Sequence, residues 1–391
     1  MLEHQESEAR KLTKIVHILL GADRGGCEAN SLCLIREAAG VSHQVMILGP
    51  PGEMTPEMEA AGATVTHLDS ARRRRSIRSL ARKVLEDSVD GVVIWHGMVC
   101  LPEILAALRD FSGTVLVHGG NPANNLSSRT DLRFLIREKW LGRRAQATYV
   151  CCTRYVADSF QRSAYLKRFP VVVVPNGIKN PPALPYAPRE IIAGVSPVIG
   201  MVARLDAIKD HRTLLQAFSL LLAQWPGARL ELAGDGDQRE ALESHATRLG
   251  ISANVAFLGM VPDVYHSMRH WDLFAYCTTE MEGLGNALAE AMAYGLPCIA
   301  SEVGPVREVG ENSIHYVPQG DPTALRDAMV RLMNDFKTRQ ALGSMARERA
   351  LEQFSARSFA RKYVSLIRAD HDPETIRPED RDIRCGSRET G

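Results

Sequence analysis

Short apolar runs alternate with amphipathic stretches of helical period along the first half of the chain. The sequence predicts strands there at 14–20, 43–48, 63–68, 91–95, 113–118, 147–152 and 170–175. Helices are predicted between them at 27–39, 54–61, 73–87, 100–109, 130–144 and 153–165. Near-continuous apolar strands that alternate with helices indicate a parallel sheet covered on both faces.

The pattern starts again after a proline-rich segment in the middle of the chain. Strands are predicted near 197–203, 228–233, 254–258, 271–276, 297–301 and 313–317. The predicted fold class is therefore α/β, with two doubly wound, Rossmann-like parallel-sheet domains that face each other across a cleft. We assign 1–178 to the first domain, 179–196 to the linker and 197–354 to the second domain. An amphipathic helix at 355–369 is expected to return to the first domain, and the charged tail 370–391 is expected to be disordered.

Composition excludes several classes of protein. The 391 residues are 45% hydrophobic and 24% charged, and 47 Lys and Arg balance 46 Asp and Glu. This balance gives no global preference for nucleic acid or membrane. No apolar run approaches the ~18–20 residues that span a bilayer, the N-terminus lacks a signal-peptide core, and the eight cysteines form no CxxC pair. We expect a cytoplasmic protein.

The segment from Glu282 to Ala293 is the most informative in the chain. Gly283 and Gly285 allow the backbone to approach a ligand closely, and the helix that follows points its N-terminal N–H groups at the same place. A diphosphate suits such a site. Glu282 before the helix and Glu290 within it could accept hydrogen bonds from vicinal hydroxyls. The alternative is an ordinary loop with a solvated glutamate and an amphipathic helix.

A second motif follows the first strand of the second domain. Arg204 leaves the end of that strand and Lys209 is expected to begin the next helix, so both cations could converge on one anionic group. Two solvated cations would explain this motif alone equally well.

Together these segments resemble the retaining GT-B glycosyltransferases of family 4. The resemblance also includes Val174 to Ile178 at the hinge, Leu232 to Gly236 and Phe257 to Gly259. It implies a nucleotide-diphosphate sugar, UDP- or GDP-linked, as the donor substrate, with no other cofactor. Arg204 and Lys209 would bind the pyrophosphate, Glu290 the ribose and Glu282 the donor sugar. Backbone around Gly259 would contact the base, and N–H groups at Gly283, Leu284, Gly285 and Asn286 the phosphates or the sugar.

In the first domain, Gly25 and Gly26 follow the first strand and open a helix. They look like the family's glycine-rich loop that closes over the donor, although a simple turn would also explain them. His118 ends another strand, where the family often places a histidine near the donor sugar. His96 is a second candidate for the cleft, and a structural role is the alternative for both histidines.

No essential metal is predicted. Asp235 and Asp237 could be mistaken for a metal-binding DxD motif, but Asp237 with Glu240 matches a helix-capping box. Two departures from the family pattern affect the donor site. Glu280 could compete with Glu282 for the sugar, and Leu284 stands where phenylalanine is frequent.

Two basic stretches in the first domain, 72–84 and 129–144, carry arginines and lysines beside apolar residues at helical spacing. They could contact an anionic membrane surface and reach a lipid-linked acceptor. The alternative is a solvated basic face on a helix packed against the sheet.

The sequence therefore predicts a hexosyltransferase that retains the anomeric configuration, with a sugar, a lipid-linked molecule or a small molecule as acceptor. Polysaccharide, glycolipid or glycoconjugate biosynthesis is the expected setting. Two alternatives stay open: a nucleotide-sugar epimerase or phosphorylase on the same fold, and a non-catalytic subunit that binds nucleotide sugar. The oligomeric state is undetermined.

Overall fold

The computed structural model describes residues 12–96, 101–123, 128–142, 144–182, 186–192 and 195–369. The first sheet is fully parallel, and its seven strands lie in the order β3-β2-β1-β4-β5-β6-β7. Their bounds are β1 Thr13–Leu19, β2 Val41–Ile47, β3 Thr64–His67, β4 Gly91–Ile94, β5 Thr114–Gly119, β6 Thr148–Cys151 and β7 Val171–Val173.

Helices cover both faces of this sheet because its strands are apolar on both sides. Alternate residues of β1 face different cores: Val16 belongs to one buried cluster and Ile15 to the other. The bounds of these helices are α1 Gly26–Glu37, α2 Thr55–Ala60, α3 Arg73–Glu86, α4 Leu101–Ala107, α5 Ser128–Leu141 and α6 Arg154–Phe160. Helices α3, α4 and α5 bury residues in the cluster of Val16, whereas α1 and α2 bury theirs in the cluster of Ile15.

The second sheet has six parallel strands in the order β10-β9-β8-β11-β12-β13. Its bounds are β8 Val198–Val202, β9 Arg229–Ala233, β10 Val255–Gly259, β11 Leu273–Tyr276, β12 Cys298–Ser301 and β13 His315–Val317. The helices of this half are α7 His211–Leu221, α8 Arg239–Arg248, α9 Val264–Met268, α10 Asn286–Tyr294, α11 Gly304–Gly310, α12 Pro322–Asn334 and α13 Phe336–Gln353.

The last helix, α14 Ala356–Ala369, packs on the first sheet. Phe359 and Tyr363 are buried in the same cluster as Ile15. The hydroxyl of Thr114 donates to the carbonyl of Ile367 at 3.1 Å, so α14 is fixed to β5 by a polar contact as well as by burial.

The predicted fold class is confirmed, and every strand of both sheets lies within two residues of its predicted limits. Three local predictions are wrong. The helix expected to begin at Lys209 begins at His211, where the side chain of Asp210 caps it by accepting the Thr213 N–H. The helix expected at 153–165 ends at Phe160 and is followed by a short 3-10 turn. Helix α8 begins at Arg239 after Gln238 without a side-chain cap, so Asp237 and Glu240 form no capping box.

Some predictions fall outside the described residues, namely the tail 370–391, the N-terminal residues 1–11 and Arg143. Within the part of the chain that is described, no helix combines the length and the apolar character needed to traverse a bilayer.

Candidate functional site

The loop between β11 and α10 builds the centre of the site at the carboxyl ends of the second sheet's strands. Gly285 immediately precedes α10 and has a φ of 81°, a left-handed conformation that side chains rarely adopt. A Cβ at Gly285 would also lie 3.0 Å from the ring of Tyr276. The glycine is therefore required both for its backbone conformation and for the close approach of the tyrosine.

Lys209 and Glu282 form a direct ion pair beneath this loop. Tyr276 joins them, since the Lys209 ammonium donates to its hydroxyl at 2.7 Å and that hydroxyl donates to Glu282 Oε2 at 2.7 Å. Thr278 donates to the same carboxylate oxygen at 3.0 Å, and the Gly283 N–H donates to Oε1 at 3.1 Å. We call these five residues the Lys209–Glu282 cluster.

The cluster holds Glu282 in its ionised form. Burial by itself would raise the pKa of Glu282, but the Lys209 ammonium and the Tyr276 and Thr278 hydroxyls outweigh it and hold the pKa below its ordinary value. Four donors already occupy the two carboxylate oxygens, and Glu282 is only 7% exposed. One acceptor position, on Oε1, is left for a ligand.

Lys209 and Arg204 are held in different ways. Lys209 uses two of its three N–H bonds within the cluster, which leaves one for an anion. Arg204 is exposed, and its guanidinium is paired with Asp206 at 2.6 Å. Asp206 in turn accepts the backbone N–H groups of Ile208 and Lys209 at 3.0 and 3.3 Å. Asp206 thus links the two predicted pyrophosphate ligands.

Glu290 lies on α10, and no hydrogen bond to its carboxyl group is found among the described residues. Burial raises the pKa of Glu290 to about 7, with Asp263 adding to the rise and Lys179 opposing it. This unpaired carboxyl group retains all its hydrogen-bonding capacity for a ligand.

The predicted base-binding segment adopts an unusual backbone at the end of β10. Gly259 has a φ of 69°, and its carbonyl accepts the N–H of Gly234 at 2.7 Å. The neighbouring Leu258 and Met260 are 39% and 49% exposed. Leu284, by contrast, is 2% exposed and packs in the core, so only its backbone could contact a ligand.

The first domain approaches the loop closely at Gly283. A Cβ built on Gly283 would lie 1.8 Å from the Gly120 carbonyl and 3.4 Å from the Cys152 sulfur. The hydroxyl of Thr153 donates to the Gly283 carbonyl at 3.4 Å. Gly119 and Gly120 directly follow His118, so the ends of β5 and β6 face the N-terminus of α10.

A chain of amides leads from the hinge to His118. Asn176 donates to the Asn286 side chain at 2.9 Å, and Asn286 contacts Asn30 at 3.5 Å. Asn30 donates to His118 Nε2 at 3.4 Å, while His118 Nδ1 donates to the Tyr363 hydroxyl at 3.0 Å. Burial lowers the pKa of His118 to about 4, with His96 contributing. His118 is therefore a neutral, buried ring whose two nitrogens both have partners.

His96 occupies the neighbouring strand end with Glu28 of α1. His96 Nε2 lies 3.2 Å from Glu28 Oε1, and the Glu28 side chain is 8% exposed against 28% for His96. Gly25 immediately precedes α1 with an extended backbone, and a Cβ there would lie 2.6 Å from Glu28 Oε2. A Cβ on the adjacent Gly26 would meet nothing within 4 Å. Gly25 thus makes room for the buried carboxylate, and Gly26 opens α1.

A carboxylate that the sequence analysis missed joins the two domains. Glu308 of α11 accepts the backbone N–H groups of Arg154 and Tyr155 at 2.6 and 2.9 Å, at the first residues of α6. Nothing in the sequence around Glu308 signalled this contact. Tyr276 was also missed, although it ends a predicted strand at the edge where ligands bind.

Glu280, the predicted competitor of Glu282, lies elsewhere. Its carboxylate accepts the N–H of Gly304 at 3.2 Å, at the start of α11, and its backbone carbonyl accepts from the Tyr155 hydroxyl. It makes no described contact with the Lys209–Glu282 cluster.

The described residues contain no group of three or more His, Cys, Asp or Glu side chains arranged to hold a metal ion. A cavity of about 430 Å³ lies beside Arg189, Arg229 and Trp271, near the first residues of β8, β9 and β11. It contains none of the predicted site residues and lies at the opposite edge of the sheet from them.

Comparison with known proteins matches both halves of the chain to glycosyltransferases. The family described as glycosyltransferase family 4 matches residues 24–179, and the family described as glycosyl transferases group 1 matches residues 196–335. The lipopolysaccharide core biosynthesis glycosyltransferase LpsE of Rhizobium meliloti is 31% identical over 176 residues, 44% of this chain and 50% of that protein. The putative glycosyltransferase EpsF of Bacillus subtilis is 27% identical over 310 residues, 74% of this chain and 79% of that protein. The matched part of the chain thus spans about half the length of LpsE and 79% of the length of EpsF.

Solved structures agree with the fold. Anabaena HepE, solved in complex with UDP and glucose, superposes with a TM-score of 0.76 at 18% sequence identity, covering 90% of this chain and 98% of HepE. The two parallel sheets, the two family matches and the superposition on HepE together show that the chain belongs to the family 4 glycosyltransferases and has the GT-B fold.

Proposed function

We propose that this glycosyltransferase moves a hexose-type sugar from a UDP- or GDP-linked donor to an acceptor hydroxyl, with retention of the anomeric configuration. The observation that carries the proposal is the Lys209–Glu282 cluster. It places a cation with a free N–H and a fixed carboxylate beside the N-terminus of α10, opposite Gly120 of the first domain. The HepE complex with UDP and glucose supports a nucleotide-sugar donor for a protein of this fold.

The diphosphate leaving group would be neutralised by protein groups. Lys209 supplies its third N–H, Arg204 could turn from Asp206, and the first N–H groups of α10 point at the same region. Stabilising the charge that develops on the leaving diphosphate is the main catalytic effect expected of such a site. We therefore propose that transfer needs no metal ion.

Retention by double displacement would need a carboxylate nucleophile at the anomeric carbon. Glu282 is a poor candidate because Lys209, Tyr276, Thr278 and Gly283 already bond to its oxygens. A same-face reaction fits these residues better. In it the acceptor oxygen forms its bond to the anomeric carbon on the side from which the diphosphate leaves, and the acceptor proton passes to the leaving phosphate oxygen.

The names of the relatives support a role in surface saccharide synthesis. LpsE is named for lipopolysaccharide core biosynthesis, so we propose a polysaccharide or glycolipid product for this chain as well. The acceptor would be a sugar, a lipid-linked molecule or a small molecule that enters from the first domain. Contact of that domain with a membrane surface would suit a lipid-linked acceptor.

A thermal-shift panel of UDP- and GDP-linked hexoses tests donor binding, because a ligand that binds only the folded state raises the melting temperature. The donors that bind are then incubated with and without an acceptor panel, and the products are resolved by NMR. An α-linked product from an α-linked donor supports retention. A sugar altered or released with donor alone would favour the epimerase or phosphorylase alternative, and binding without any turnover would favour the binding subunit.

A further inference from the structure

The two basic helices of the first domain differ in where they place their apolar residues. In α3, Ile77, Leu80 and Val84 are between 1% and 3% exposed and pack on the sheet. Helix α3 is therefore an ordinary surface helix with a solvated basic side. Helix α5 differs, because Leu132, Ile136 and Trp140 are 56%, 47% and 85% exposed.

These three residues form one stripe on α5, since positions four apart lie on the same side of a helix. The opposite side fixes the helix to the domain. Phe134 is buried in the core, and Asp131 accepts hydrogen bonds from the Ser163 hydroxyl and the Ala164 N–H, both at 2.8 Å. The stripe is thus turned outward by a firmly anchored helix.

Cations surround the stripe. Arg129, Arg133, Arg137 and Lys139 of α5 are exposed beside it. Helices α3, α4 and α5 cover the same face of the first sheet, so the exposed arginines of α3 extend the positive charge on that face: Arg73, Arg74, Arg75, Arg78 and Arg82. Apolar side chains including a tryptophan, bordered by cations, match the boundary between acyl chains and anionic headgroups.

We propose that the stripe of Leu132, Ile136 and Trp140, with the arginines around it, docks the first domain onto an anionic lipid bilayer. The apolar side chains enter the boundary region, and the cations gain from the negative surface potential. This inference goes beyond sugar transfer and needs no donor or acceptor, so it can fail while the proposed reaction holds.

The test is co-sedimentation of the full chain with vesicles of phosphatidylcholine, with or without phosphatidylglycerol. We expect binding to the anionic vesicles that weakens at high salt, with a blue shift of tryptophan fluorescence. Trp140 is expected to produce that shift, because it is 85% exposed, whereas Trp95 and Trp271 are at most 1% exposed and Trp225 is partly buried in the second domain. The shift should therefore disappear when Trp140 is replaced. The triple variant Leu132→Ser, Ile136→Ser, Trp140→Ser should lose at least tenfold in partitioning, and Arg129→Gln with Arg133→Gln should lose the salt-sensitive part.

The matched control is Met345→Ser with Leu351→Ser, two residues of α13 that are 45% and 42% exposed. It should bind vesicles like the unchanged chain. Equal binding by the triple variant, or no binding by the unchanged chain, would overturn the proposal. Light scattering tests whether the stripe instead contacts a second copy of the chain. A dimer that becomes a monomer in the triple variant would assign the stripe to that contact and overturn lipid docking.

Discussion

Lys209 and Glu282 are paired with each other, although each was expected to face a different part of the donor. Tyr276 and Thr278 complete the arrangement, so a buried carboxylate is satisfied before any ligand arrives. The pair therefore contributes to the free energy of unfolding, and loss of either partner should reduce stability as well as transfer.

Lys209→Met should destabilise the fold by about 3–5 kcal/mol at pH 7, because it leaves Glu282 buried without its cation. In the unchanged protein the pKa of Glu282 is depressed. The contribution of ionised Glu282 to stability is thus present at pH values above the ordinary pKa of a glutamate, and it is lost as the pH falls through the depressed pKa. In the variant, burial would raise the pKa of Glu282, and protonation at low pH would relieve the penalty. Urea unfolding at pH 7 and pH 4 should show a smaller difference between the two proteins at pH 4.

Arg307→Met is the matched control for this measurement. Its pair with Glu302 is exposed and screened by solvent, so its loss should cost far less than the loss of Lys209. If Lys209→Met costs no more than this control at neutral pH, the cluster contributes nothing to stability and the argument is wrong.

Glu290 should make the protein sensitive to pH near neutrality. Burial raises the pKa of Glu290 to about 7, so the folded protein favours the protonated carboxyl group. The resulting contribution to stability is complete below the ordinary pKa near 4.5 and is lost as the pH rises through about 7. Ionisation also makes the carboxyl group a better acceptor for ribose hydroxyls. Melting temperature should therefore fall, and UDP affinity rise, as pH increases from 6 to 8.

Glu290→Gln should flatten both profiles because the amide does not titrate in this range. Calorimetry of UDP binding at pH 6, 7 and 8, with melting curves at the same values, measures both effects. Identical pH profiles for the variant and the unchanged chain would show that another group is responsible.

Gly283→Ala should reduce transfer by a factor of about 100, since misplacing reacting groups by about 1 Å costs that much. The added Cβ would lie 1.8 Å from the Gly120 carbonyl and would push the two domains apart. Gly21→Ala is the matched control, because a Cβ there meets nothing within 4 Å. The test is to compare the steady-state turnover of both variants with that of the unchanged chain, using the donor identified by thermal shift. Normal turnover by Gly283→Ala would mean that this close approach is not needed for the reaction.

The fold could be predicted because the apolar runs that form β1 to β13 are local and end at glycines, prolines and polar residues. Helix limits were less certain where tertiary contacts decide them. Helix α6 ends at Phe160 because the chain turns there to bury Tyr165 and Phe169. The ring of Phe169 packs against both Tyr149 and Tyr165, and periodicity along the sequence does not encode these contacts.

The site could be predicted in its parts but not in its pairing. Motifs predicted Lys209 and Glu282 as separate ligands of a donor, yet their contact with each other depends on how β8 and β11 lie side by side. The cross-domain contacts of Glu308 and of the Asn176–Asn286 pair depend on the relative position of two sheets, and a single sequence gives no spacing rule for that.

Chelation should leave transfer largely intact. Lys209, Arg204 and the N-terminus of α10 can supply the positive charge that the leaving diphosphate requires. Initial rates measured with excess EDTA, and again after addition of Mg²⁺ or Mn²⁺, test this expectation. Complete loss with EDTA and recovery with one of the ions would establish a metal-dependent reaction instead.

Glu308→Ala should favour an open arrangement of the two domains. The Glu308 carboxylate accepts two backbone N–H groups at the start of α6, and hydrogen bonds to a charged group contribute about 1.5–3 kcal/mol when sheltered and less at an exposed contact such as this one. Small-angle scattering should show a larger radius of gyration for the variant. Donor should raise the melting temperature of the variant less, because some of its binding energy is used to close the cleft. Glu311→Ala provides the control, since Glu311 lies just beyond the same helix and pairs with Arg349 of α13 within the second domain. An unchanged radius for Glu308→Ala, with donor-induced stabilisation equal to that of the control, would mean that other contacts hold the domains together.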